Sequence, residues 1–321
     1  MGMFPIQSFE VHVRMPLFVD EEPFGSSLKT VAEFLQRYVK FKEGAVQLST
    51  KPTKEVPPHG LLYVGQREMA VISPEDECIQ VLGTDDATTC HIAILRHTAS
   101  LVTGMAHFDG SGLQLAVQNL IDTVLRETGG KQWGRLELTL VGGFKDNRGM
   151  SEELSFKLFD AFNRSPTDVH LVTACITDLN TRIEKGIPYP VIYGLAVIVQ
   201  TGEIFPAKFQ DRGPEQPLRS ARHFTGSEEV INIYDNRKKQ LVIGPFDYST
   251  MDEIDLLCRL PDPIIREHLS TSPEQEPKHF EASVRAALVQ IRDFPDPLKS
   301  VFKGKGIYFK KEADGRWTKV D

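Results

Sequence analysis

The sequence predicts an α+β fold built as one domain, and three observations lead there. Short apolar runs bounded by polar turns, at residues 61–64, 69–72, 92–95 and 169–176, have the length and composition of buried strands. Other stretches gather their apolar residues on one helical face. Leu115, Leu120, Ile121, Val124 and Leu125 do so in one, and Leu154, Leu158, Phe159 and Phe162 in another. The two kinds of segment alternate without an internal repeat, and 40% hydrophobic residues in a chain of 321 are enough to enclose a real core.

Taken in order, residues 1–15 alternate weakly through Phe9, Val11 and Val13, as an edge strand would. Ser26 or Ser27 is a candidate cap for a helix carrying Leu28, Val31, Phe34, Leu35 and Tyr38. A proline-bearing loop at 51–58 precedes strands at 61–64, 69–72 and 79–82, the last two joined by the acidic turn 73–77. Residues 98–102 turn the strand 92–95 back onto a partner at 104–109. Ser111 then opens a helix that Gly129 and Gly130 close with the left-handed backbone glycine adopts freely. Leu136, Leu138 and Leu140 alternate with other residues, so that strand reads as half-buried; Gly142 and Gly143 stop it. Ser151 caps the next helix, a strand follows at 169–176, and a longer apolar strand at 190–199 returns through Thr201 and Gly202 into 203–209. Beyond Gly213, prolines punctuate short helices near 217–223, 251–260 and 262–270. Residues 231–234 and 241–243 form a hairpin, 280–294 a helix, and 306–309 with 317–320 a closing hairpin around Asp314 and Gly315. The expected organisation is a single domain, 1–321, with 215–321 as an elaboration on its flank.

Composition narrows the function classes. A net charge of −7 and a pI near 5.8 disfavour nucleic acid as the main partner. No apolar stretch reaches the ~18 residues of a membrane helix, and the start has no basic segment followed by a long apolar one. The four cysteines, Cys78, Cys90, Cys175 and Cys258, are scattered without metal-ligand spacing, as in a reduced, cytoplasmic or nuclear protein. Cys78 lies among acids that disfavour a thiolate, and Cys175 and Cys258 lie in apolar runs that read as core. No cofactor and no membrane partner are expected, and the chain reads as a monomer.

The most informative stretch runs from Leu82 to Asp109. A polar segment, Gly83 to Thr89, leads into Cys90, and the run after it pairs with the one that carries His107. If Cys90 faces Asp109 across the hairpin, Cys90 and His107 form a diagonal pair on one face, roughly 7 Å apart. A slip of one residue would separate them. A thiol beside an imidazole is a nucleophile and its base. Two other readings stand beside that one: a buried apolar thiol with a core histidine, or a metal site formed by Cys90, His91, His97 and His107.

The motifs themselves carry a resemblance. Leu61-Leu-Tyr-Val64, Asp85-Asp-Ala-Thr-Thr-Cys-His-Ile92, Leu95-Arg-His-Thr98, Leu140-Val-Gly-Gly-Phe144, Pro190-Val-Ile-Tyr-Gly194, Phe209-Gln-Asp-Arg-Gly-Pro-Glu215 and Leu269-Ser-Thr-Ser-Pro273 resemble the eukaryotic protein N-terminal asparagine amidohydrolases. A fainter likeness reaches the bacterial chemoreceptor glutamine deamidase, at Thr84, Cys90 and His107. The resemblance implies a layered α-β-β sandwich similar to the cytotoxic-necrotising-factor-like cysteine hydrolases. It implies a cysteine amidohydrolase acting on peptides or proteins with a free N-terminal asparagine, which become aspartate and thereby a degradation signal. The matching relatives start near Met15-Pro16-Leu17, which makes 1–14 an N-terminal extension. On this basis Cys90 is the nucleophile, His107 the base and Thr84 its orienter, with Asp109 the competing orienter. Asp85 and Asp86 are the nearest acids for the substrate's α-ammonium, and Asx caps of a tight turn are their other reading. Pro16 and Leu17 are expected to line the site. Arg212 is expected to pair with Asp211, or else to wall the pocket. A peptide N-terminus-binding module without catalysis and a metal-dependent hydrolase are the alternatives.

Overall fold

A computed structural model describes residues 15–25, 28–131, 133–248 and 251–320. Residues 1–14 of the edge strand expected at 1–15, and the caps Ser26 and Ser27, lie outside them. The helix Val31–Arg37 is capped instead by Thr30, whose hydroxyl accepts from the Glu33 N–H at 3.2 Å.

A mixed eight-stranded sheet forms the centre. Its order is Ile231–Asn232, Glu68–Ile72, Thr103–Phe108, His91–His97, Leu136–Gly142, Val169–Ile176, Leu17–Val19 and Glu22–Pro23. Strand alternation gives this sheet two apolar faces. Ala93, Leu95, Ala106, Phe108, Leu138 and Leu140 pack against the helices Val31–Arg37, Leu113–Glu127 and Met150–Asn163. Ile92, Ile94, Met105 and Val141 face the other way. They meet Leu62, Leu82, Leu195 and Val197 of a five-stranded sheet ordered Lys54–Val56, Ile204–Phe209, Leu195–Ile198, Val81–Thr84 and Leu61–Tyr63. Helices, sheet and sheet therefore stack in that order, an α+β arrangement.

The stacking explains where the chain departs from expectation. Leu136–Gly142 is buried on both faces, because it lies inside the large sheet between both layers. Residues 73–77 make the expected turn, with the Asp76 N–H donating to the Ser73 carbonyl at 3.0 Å, but the strands on either side, Glu68–Ile72 and Val81–Thr84, belong to different sheets. The long strand expected at 190–199 divides into Ile187–Pro190 and Leu195–Ile198, which also sit in separate sheets. Ser151 lies inside its helix rather than capping it. The Asp146 carboxylate accepts from the Met150 and Ser151 N–H groups at 3.1 and 2.8 Å. A further helix, Lys40–Ser49, was not expected; its buried stripe is only Phe41, Ala45 and Leu48, a short signal at helical spacing.

The C-terminal stretch is fastened to the same core. Leu218, Ile233, Tyr234, Leu241, Ile243, Phe302, Ile307 and Phe309 share the inter-sheet cluster. Arg219 and Glu68 form an ion pair with 5% and 2% of each residue exposed. Arg219 also donates to the Tyr63 carbonyl at 3.0 Å.

Candidate active site

The register between His91–His97 and Thr103–Phe108 pairs His91 with Phe108 and Ile92 with His107, so Cys90 stands opposite Asp109 one step earlier. Cys90, Ile92 and His107 thus share the face that looks toward the second sheet, as the diagonal pairing requires. A slip would expel Ile92, Ile94 and Met105 from that interface, at about 1.5–3 kcal/mol each, so packing holds the register. Close contact fixes the backbone behind Cys90. Gly143 N–H donates to the Cys90 carbonyl at 2.9 Å. At Gly142, φ is +138° and a Cβ would stand 2.4 Å from the same oxygen, so only glycine fits.

Thr84 reaches the histidine from the other sheet. It ends the strand Val81–Thr84, on the same face as Leu82, and its hydroxyl lies 2.8 Å from His107 Nδ1. With that nitrogen engaged, His107 Nε2 is buried and, among the described residues, has no hydrogen-bond partner. An unsatisfied buried polar atom costs about 1–3 kcal/mol. It is the kind of unmet valence that catalytic sites retain. Cys90 itself is half-buried, whereas Cys175 and Cys258 are buried as expected.

Asp109, the competing orienter, is committed elsewhere. Its carboxylate accepts from Gln66 Nε2 at 2.7 Å, Arg67 Nε at 2.5 Å and Ser111 N–H at 3.0 Å. Although burial opposes it, these partners hold the carboxyl down at about 2. Burial pushes the His107 imidazole down to about 4, against the pull of Asp109 and Asp86. The Cys90 thiol is pushed up by burial and then by the charges of Asp109 and Glu276, with Arg67 opposing. The resting pair is therefore neutral thiol and neutral imidazole, not the preformed ion pair that a cysteine beside a histidine suggests.

The remaining expected residues fall in several places. His91 and His97 face the helices. His91 Nε2 is 2.7 Å from Ser155 Oγ and His97 Nδ1 is 2.8 Å from Ser100 Oγ, so Cys90, His91, His97 and His107 do not converge on a metal. Asp85 is buried and saturated by the Tyr63 hydroxyl at 2.7 Å, Arg212 at 2.9 Å and the Phe209 N–H at 3.3 Å. Asp86 pairs with Arg212 at 2.6 Å and His279 at 2.8 Å. Arg212 thus binds these two acids and not Asp211, whose carboxylate caps Gly213 N–H at 2.8 Å. Pro16 and Leu17 are a correction. Leu17 pairs with Val169, Val169 with Leu136 and Leu136 with His97, the far end of the strand that begins beside Cys90. At ~3.3 Å per residue that end is about 20 Å away. Leu17 is wholly buried on the helix side, and so cannot line a pocket at Cys90.

Sequence reasoning missed the loop between the helices Asp262–Leu269 and Phe280–Asp293. Thr271 Oγ1 lies 2.9 Å from Thr89 Oγ1, beside Cys90, and His279 reaches Asp86. Glu276 sits between these two fastenings, half-buried, its Oε1 accepting from Ser270 Oγ at 2.5 Å. Burial and the charge of Asp86 raise its carboxyl to about 7 against that hydrogen bond. An acid and a histidine in a proline-bearing loop, just after a motif already singled out, were the available signal. Two other surface concavities, of about 830 and 670 Å³, are lined by none of Cys90, His107, Thr84 or Glu276.

Known proteins match at the same scale as this architecture. The family described as protein N-terminal asparagine amidohydrolase matches residues 51–319. A protein N-terminal asparagine amidohydrolase of Mus musculus is 42% identical over 307 residues, which cover 95% of this chain and 98% of the relative. One of Homo sapiens is 42% identical over 293 residues, 91% of this chain and 94% of the relative. One of Arabidopsis thaliana is 27% identical over 310 residues, covering 88% and 86%.

Proposed function

From the premise that this chain belongs to the protein N-terminal asparagine amidohydrolase family, we propose that it deamidates N-terminal asparagine through Cys90, His107 and Thr84. One observation carries this reading. Thr84 holds His107 by Nδ1 and leaves Nε2 buried and, among the described residues, unpartnered on the face of Cys90. In the proposed reaction Nε2 takes the Cys90 proton as Sγ attacks the side-chain carboxamide carbon. Backbone N–H groups beside Cys90 receive the oxyanion, each worth ~10²-fold or more. The imidazolium then protonates the amide nitrogen, the carbon–nitrogen bond breaks and ammonia leaves a thioester. His107 next deprotonates water, which attacks the thioester carbon. Sγ departs and recovers the proton, and the product is N-terminal aspartate.

An internal asparagine presents the same carboxamide, so the α-ammonium must be read separately. Asp85 is saturated, and Asp86 already shares its charge with Arg212 and His279. Glu276 is the better anchor, with Asp86 beside it. A fixed separation between that anchor and Cys90 also discriminates against glutamine, whose extra methylene alone is worth only ~1–3 kcal/mol. The helix–sheet–sheet layering supports a fold similar to the cytotoxic-necrotising-factor-like cysteine hydrolases, and the new aspartate is the expected degradation signal in cytoplasm or nucleus. Ammonia release from Asn-, Gln- and acetyl-Asn-peptides tests the reading. Release is expected from the first alone, and equal turnover of the acetylated peptide would refute it.

A further inference from the structure

The loop that carries Glu276 straddles the segment leading into the nucleophile. Thr271 meets Thr89 at one end and His279 meets Asp86 at the other. Arg266 stiffens it by donating to the carbonyls of Pro273, Glu276 and Pro277 at 2.9, 3.1 and 3.0 Å. Burial comes first in keeping Cys90 as the thiol; the charges of Asp109 and Glu276 add to it, and Arg67 opposes them. Asp109 is paired with Arg67 at 2.5 Å, which offsets part of its charge. Among the described residues Glu276 has no ion-pair partner. Of the charges that act on it, Asp86 is paired with Arg212 and His279, and Arg266 with Glu281. His107 Nε2 is buried and, among the described residues, unpartnered, so it can take a proton.

We propose that Glu276 couples recognition to activation: without substrate its carboxylate adds to burial in holding the proton on Cys90, and an α-ammonium seated on it cancels that charge and eases transfer of the proton to His107. This rests on the reading of Cys90 as nucleophile and Glu276 as anchor given above. An acetylated or internal asparagine then fails twice, because it has no anchor and because it leaves the thiol unactivated. The group that reports a true N-terminus also switches on the attack, which guards a half-buried thiol from stray chemistry.

The test compares wild type, Glu276→Gln and Glu276→Asp. Alkylation of Cys90 by iodoacetamide is followed against pH by mass spectrometry of the Cys90 peptide, and kcat/KM is measured for an Asn-peptide. A nearby charge typically moves such a group by about one unit or more, so Glu276→Gln should alkylate about 3–10-fold faster near pH 7.5, with its midpoint moved to lower pH. The same variant should lose about 10²-fold or more in kcat/KM, and Glu276→Asp should recover part of both. Loosening of the loop would raise the alkylation rate without the conservative Glu276→Asp restoring the midpoint, so the pH midpoint and not the rate alone decides. Unchanged or slower alkylation in Glu276→Gln overturns the coupling. If kcat/KM nevertheless falls, Glu276 is an anchor only, and if neither moves it is not part of the site. Turnover by Cys90→Ala would instead remove the underlying reading.

Discussion

Thr84 and Asp109 were rivals for one task, and their hydrogen bonds separate them. Asp109 spends its carboxylate on Gln66, Arg67 and Ser111, while Thr84 spends its hydroxyl on His107 Nδ1. A hydroxyl orients an imidazole without placing a charge beside it, so it sets the tautomer and stabilises the imidazolium little. Thr84→Ala should therefore lower kcat by about 10–10²-fold with little change in KM, and Thr84→Ser should be mild. Asp109→Asn should leave kcat within a few-fold and lower stability by about 1–3 kcal/mol, because Arg67 loses its charged partner. Steady-state kinetics beside denaturant melts of the three variants decide the matter. A severe kcat loss in Asp109→Asn with a silent Thr84→Ala would reverse the assignment.

Two elements were legible for a simple reason: alternation on a strand is a geometric rule that short-range sequence obeys. The pairing of 92–95 with 104–109, and the shared face of Cys90 and His107, followed from it. Where Thr84 goes did not follow from it, since that depends on a second sheet whose strands come from residues 54 to 209. The loop from Ser270 to His279 was illegible for a similar reason, as its place over Thr89 and Asp86 is set by contacts nearly two hundred residues apart in sequence. Arg219 belongs to this scale, for it clamps the C-terminal flank onto the strand next to that of His107 through Glu68 and the Tyr63 carbonyl. Removing one partner of a buried pair strands the other charge, so Arg219→Ala should cost about 3–5 kcal/mol. A shift of the denaturation midpoint reads this cost. A variant as stable as the wild type would show that the flank is held by its apolar contacts alone.

For the whole molecule, the α+β class and most elements of the central sheet were readable from periodicity, while the order of layers needed long-range pairing. Pro16 and Leu17 show the limit of a motif: a resemblance supplied a role, and register then put the residues at the far end of the sheet. The fold also carries a charge that its stability would be better without. The Glu276 carboxyl titrates at about 7 in the folded protein and near ~4.3 in the unfolded chain, so between those values the fold binds more protons and gains stability as pH falls. Above 7 the buried charge is a pure cost. His91 and His107, depressed to about 3 and about 4, act in the opposite sense and lose stability as pH drops below ~6.5. They are common to both proteins in a comparison, so Glu276→Gln should melt a few degrees above wild type at pH 8, with the gap closing by about pH 4.5. Equal melting temperatures at pH 8 would mean that Glu276 is solvated there. The central claim, that the carbonyl carbon of N-terminal asparagine is transferred to Cys90, has a more direct test. Enzyme turning over an Asn-peptide is quenched in acid, digested and weighed. The account predicts a mass increase equal to the peptide less ammonia, labile to hydroxylamine, on the Cys90 fragment and absent with the acetylated peptide. An adduct on another residue, or full ammonia release by Cys90→Ala, would contradict it.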